Sequence, residues 1–107
     1  MNNPAGAPGA PAPRVARRVY AANEFSNTVT VFTLDGSGNI TGTQPGTFTT
    51  GSNPDSVTVN PAGTRLYVAN NGSNTVTVFT LDGSGNITGT LPGPFSTGSG
   101  SFSVAVY

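Results

Sequence analysis

Residues able to do acid–base, nucleophilic or metal chemistry are scarce in this chain. Its 107 residues include no histidine, no cysteine and no lysine, only four arginines, and four carboxylates at Glu24, Asp35, Asp55 and Asp82. Without histidine the commonest general base and metal ligand is missing. Without cysteine there is no disulfide and no thiolate metal site. Two carboxylates sit in the same setting, DGSGN, at Asp35–Asn39 and Asp82–Asn86. Oxygen side chains at alternate positions resemble a calcium loop. The sixth residue, however, is Ile40 or Ile87 rather than glycine, and each copy holds one carboxylate. The stretch reads instead as a glycine-rich hairpin turn. Asn39-Ile-Thr, Asn86-Ile-Thr and Asn71-Gly-Ser are sequons on turns or strand starts, where a glycosylating host could attach glycans at Asn39, Asn71 and Asn86. No nucleophile–base pair, phosphate loop or basic–aromatic stripe is present. The expectation is a protein without catalytic residues, metal or cofactor, and not an enzyme.

Charged residues make up 7% of the chain and the net charge is zero, which argues against nucleic acid or an anionic membrane as partner. Arg14, Arg17 and Arg18 form a small basic patch, read as solvated. The longest apolar runs are a few residues, too short for membrane insertion. Thr, Ser, Asn and Gly carry the polarity, a composition associated with secreted and surface proteins. An extracellular or cell-surface location is therefore expected, although no signal peptide is visible, because an apolar h-region is missing.

The elements that must position these residues come from a repeat. NTVTVFTLDGSGNITGT runs from Asn27 to Thr43 and again, letter for letter, from Asn74 to Thr90. RVYAAN from Arg18 is answered by RLYVAN from Arg65, and GTFTTGS from Gly46 by GPFSTGS from Gly93. Such a period marks a unit that cannot bury its apolar faces alone and needs stacked neighbours. Residues 1–17 read as a Pro/Ala/Gly-rich N-terminal arm, extended and solvated, and residues 18–107 as a two-bladed repeat domain.

Four kinds of strand recur, and no window has helical periodicity. Type b is Arg18–Asn23 and Arg65–Asn70. Type c is Thr28–Leu34 and Thr75–Leu81, where Val and Thr alternate in a strong β pattern. Type d runs from Ile40 to about Thr50 and from Ile87 to about Thr97, and Pro45 and Pro92 interrupt it as at an edge or bulge. Type a is Ser56–Asn60 and Ser101–Tyr107. EFSN, NGSN and PAGT supply turns. The repeat-locked aromatics Tyr20, Phe32, Phe48, Tyr67, Phe79 and Phe95 read as inter-blade core. The order is circularly permuted: b-c-d, a-b-c-d, a. The first set lacks its a strand, because the corresponding residues, PGAPAP, cannot donate a ladder of N–H groups. The last a strand has no partners beyond it in the chain. This pattern predicts an all-β fold of β-propeller-type, four-stranded antiparallel blades, two per chain.

RLYVANNGSNTVTVF from Arg65 and NPDSVTVNPAGT before it resemble the YVTN-type β-propeller repeat and the related lactonase-like seven-bladed propellers. The resemblance covers residues 18–107. It implies propeller blades, often secreted or on cell surfaces, and in some members hydrolysis of sugar lactones. It transfers no catalytic residue to any position here. The expected function is structural: a homo-oligomer assembled head to tail by strand exchange, as a filament or a closed ring. Phe102, Val104, Val106 and Tyr107 would form the donor strand, and Val19, Tyr20 and Ala21 the acceptor edge. A ring whose loops EFSN, NGSN and DGSGN bind glycans is the alternative, and a fragment of a lactonase-like enzyme the weaker one.

Overall fold

The computed structural model describes residues 17–106. The arm before Arg17, with Arg14, and the terminal Tyr107 lie outside the described residues. Nine strands and no helix fill the described part, in two antiparallel sheets.

The first sheet contains β1 (Arg18–Asn23), β2 (Thr28–Leu34), β3 (Ile40–Thr43) and β4 (Phe48–Thr49). Its order is β1-β2-β3, with β4 pairing β2 beyond β3. The second contains β5 (Pro54–Val59), β6 (Arg65–Asn70), β7 (Thr75–Leu81), β8 (Ile87–Thr90) and β9 (Phe95–Ser96), in the order β5-β6-β7-β8 with β9 pairing β7. Type d is thus two short strands on one neighbour, separated by Gln44–Thr47 or Leu91–Pro94, because proline cannot donate to the ladder. Type a begins earlier than the sequence suggests, at Pro54, with an irregularity between Pro54 and Ser56. The segment Ser101–Val106 forms no strand within its own chain.

The two blades share one register. Val19 lies opposite Phe32 and Ala21 opposite Thr30, as Leu66 lies opposite Phe79 and Val68 opposite Thr77. Within each blade an asparagine ties the b–c turn: Asn23 Nδ2 donates to the hydroxyls of Thr28 and Thr30, at 3.1 and 2.8 Å, and Asn70 Nδ2 to those of Thr75 and Thr77 at the same distances. The turns close on Asn27 and Asn74 at φ 59° and 56°, left-handed values that asparagine tolerates. Each Asn also starts the next crossing: Asn27 Oδ1 accepts from the Asn53 amide at 2.9 Å, and Asn74 Oδ1 from the Gly100 amide at 3.2 Å.

The core lies between the blades. It joins Val29 and Val31 of β2 to Leu66, Val68, Phe79, Leu81 and Ile87, with Tyr20, Phe48, Val57 and Val59 packed around them. Side chains directly opposite in an antiparallel pair share a face, so the register assigns each of these residues to a side. The first blade contributes the face of Tyr20, Val29, Val31 and Phe48. The second contributes the opposite kind of face, that of Val57, Val59, Leu66, Val68, Phe79, Leu81 and Ile87. The repeat is stacked in one direction, each blade presenting its front to the back of the next.

Candidate functional site

The seam between the blades carries the side-chain hydrogen bonds that span the most sequence among the described residues. Arg18 Nε donates to Asn86 Oδ1 at 3.0 Å, and the Tyr20 hydroxyl donates to the Gly85 carbonyl at 2.6 Å. Gln44 grips the Ile87 backbone with both ends of its amide: Nε2 donates to the Ile87 carbonyl at 2.8 Å, and Oε1 accepts from the Ile87 amide at 2.9 Å. At the other end of the seam the Gly51 amide donates to Thr77 Oγ1 at 3.3 Å and the Ser52 amide to Ser73 Oγ at 3.1 Å. Buried apolar surface between two lines of hydrogen bonds gives the seam both adhesion and register.

The turn residues singled out in the sequence sit at this seam or at its unpaired counterpart. Asp35 Oδ1 accepts from the backbone amides of Ser37 and Asn39, each at 2.9 Å, and Asp82 Oδ1 does the same with Ser84 and Asn86. These bonds, led by that from Asn39 or Asn86, hold both carboxyls below their ordinary pKa. The carboxylates therefore serve the hairpin turn expected of DGSGN. Of the sequon residues, Asn39 is exposed. Asn86 spends its side chain on Arg18 and Asp82. Asn71 Nδ2 donates to the Ser101 carbonyl at 3.3 Å, at the start of the C-terminal segment.

The expected acceptor and donor residues are brought to different places. Val19 and Ala21 lie on β1, which among the described residues is the edge of its sheet, whereas the equivalent β6 is flanked by β5 and β7. Tyr20, on the same strand, turns its side chain into the seam. Phe102 is 71% exposed and Val104 and Val106 are half-buried, and none of the three is in a strand. Among the repeat-locked aromatics, Tyr20, Phe48 and Phe79 join the inter-blade core. Phe95 is exposed, and Phe32 and Tyr67 are half-buried on the outward faces. The division follows from one-way stacking, in which each blade buries one face. Gln44 escaped the sequence reading because its repeat counterpart is Leu91. A break in an otherwise repeated pattern was the signal that could have found it.

Two antiparallel sheets of four and five strands, sharing one register and stacked front to back, are adjacent blades of a β-propeller. The family model described as lactonase, 7-bladed beta-propeller, matches residues 8–100, and the chain belongs to that family. No curated protein matches it significantly.

Proposed function

We propose that this chain is a structural, non-enzymatic building unit that assembles head to tail outside the cell, its C-terminal segment completing the first blade of a second copy. The observation that carries this reading is the inequality of β1 and β6: among the described residues the same strand type is an edge in one blade and central in the other. The pairing of β5 on β6, Val57 opposite Val68 and Val59 opposite Leu66, moved by one repeat sets Val104 opposite Ala21 and Val106 opposite Val19 of the next copy. The launch of the segment supports the same register, since Thr97 and Gly100 bond Asn74 as Thr50 and Asn53 bond Asn27. Burial of Phe102, Val104 and Val106 would contribute roughly 1.5–3 kcal/mol each before the cost of association. A bare β1 edge would otherwise template aggregation. Sedimentation of the full chain against a variant lacking Ser101–Tyr107 tests the reading. Concentration-dependent oligomers that disappear on deletion are expected, and unchanged assembly overturns it.

The family match favours a second reading, in which these blades are a segment of a lactonase-like propeller and the neighbouring blades lie on the same chain. Turnover of a sugar lactone by the purified protein would select it.

A further inference from the structure

The internal seam leaves its own two halves exposed at the ends of the pair. We infer that these halves bind each other between copies: the outward face of one chain's second blade docks on the outward face of another chain's first blade, repeating the seam in trans. This interface rests on the head-to-tail reading but is separate from the strand that crosses it.

The repeat supplies the argument, because residues of one sequence stand in two environments. Ile87 in the seam is 6% exposed, while Ile40, in the same ITGT strand, is 58% exposed. Phe79 and Leu81 are buried, while Phe32 and Leu34 are half-buried. Asn86 Oδ1 accepts from Arg18, whereas the side-chain bond of Asn39 within the chain is donated to Asp35. On the opposite face, Arg65 repeats Arg18 down to its bond with the preceding carbonyl, Nη1 donating to Thr64 as Arg18 Nη1 donates to Arg17. Of the five large hydrophobic residues most exposed, Val19 and Ile40 lie on the first blade's outward face and Phe95 on the second's. Both faces thus hold apolar residues whose repeat counterparts are covered, beside polar groups whose counterparts are paired.

Translation by one repeat gives the contacts. Arg65 Nε reaches Asn39 Oδ1 of the second copy, and the Tyr67 hydroxyl donates to its Gly38 carbonyl. The apolar faces of Val76 and Phe95, beside the already buried Val78, cover the second copy's Phe32, Leu34 and Ile40. One position departs: Leu91 stands where Gln44 stands inside the chain. The seam between copies therefore replaces the amide grip on Ile87 by apolar contact of Leu91 with Ile40. The faces differ, so the contact is heterologous and propagates.

The test uses Ile40→Asp and Phe95→Asp in the full chain, each altering one exposed side chain on one of the two faces. Each variant alone should sediment as a monomer with an unchanged far-ultraviolet circular dichroism spectrum. A one-to-one mixture should restore a dimer, because each supplies the face the other has lost. Tyr67→Phe, which removes only a hydroxyl, should weaken self-association of the otherwise unchanged chain by about five-fold. Variants that assemble as the parent does, or a mixture that stays monomeric, overturn the inference. If both aspartate variants assemble normally and deletion of Ser101–Tyr107 abolishes assembly, strand exchange stands and the docking face falls. If the deletion variant still assembles and the aspartate variants do not, strand exchange falls and the docking face stands. A parent chain that is monomeric at every concentration overturns both.

Discussion

At the residue scale, the most informative side chain is Gln44, because both ends of its amide join the two blades through the Ile87 backbone. Replacement by its repeat counterpart, Gln44→Leu, keeps the bulk and removes both hydrogen bonds. The Ile87 amide and carbonyl are then left without partners in a partly buried seam, which costs about 1–3 kcal/mol. A lowered urea midpoint with an unchanged denaturant slope is the expected readout. Replacement of Leu66, 0% exposed, by alanine is harsher, at about 2–5 kcal/mol, enough to unfold most of a domain this small. Gln44 was not legible in the sequence because a role held at one of two equivalent positions leaves no periodic trace. The contrast with Val29 and Val31 is physical: their alternation with threonine announces a strand in either blade.

At the scale of the element, the two DGSGN hairpins have one sequence and two fates. Gly85 has φ +89°, and a methyl group there would lie 2.8 Å from Arg18 Cγ and 2.9 Å from the Tyr20 hydroxyl. Gly38 has φ +87° and open space around it. Gly38→Ala in the isolated chain should cost only the left-handed backbone penalty, about 1–2 kcal/mol. Gly85→Ala should cost more, because it also wedges the seam open, and thermal melts of the two variants give the difference directly. Both hairpins share a pH response. Their carboxyls have folded-state pKa values below the ordinary 3.8, so the unfolded chain takes up protons first as the pH falls. The stability they contribute is complete above about pH 5 and is lost through and below about pH 4. Acid titration of Asp35→Asn and Asp82→Asn variants should show a shallower decline than the parent. Strand type, strand order and the hairpin nature of DGSGN were legible because turn residues and β-branched alternation act locally. Which face of each blade is covered was not legible, since both faces carry apolar residues and stacking direction is a tertiary choice.

At the scale of the whole molecule, the seven-bladed family and the two-bladed chain meet in one requirement: every blade needs a neighbour on each side. The order b-c-d, a-b-c-d was legible because the strand motifs could be counted against the period, while the final a expected at Ser101–Tyr107 forms no strand among the described residues. The split of type d into two short strands on one partner was visible only as prolines at Pro45 and Pro92.

The chemical identity of β2 and β7 has a further consequence for how the chain reaches its fold. β1 cannot tell them apart by side chain, since both read TVTVFTL. Only connectivity distinguishes them: closing β1 on β2 spans Glu24–Asn27, and closing it on β7 spans Glu24–Asn74, a loop roughly twelve-fold longer. Loop-closure entropy favours the shorter hairpin by about 2 kcal/mol, a modest margin for choosing between two ladders of equal strength. Nascent chains at high concentration have a further source of identical strands in their neighbours, against which that margin shrinks. Crossed pairings should therefore accumulate as a slow, concentration-dependent refolding species, and a recoded repeat in which β7 differs from β2 should fold without it.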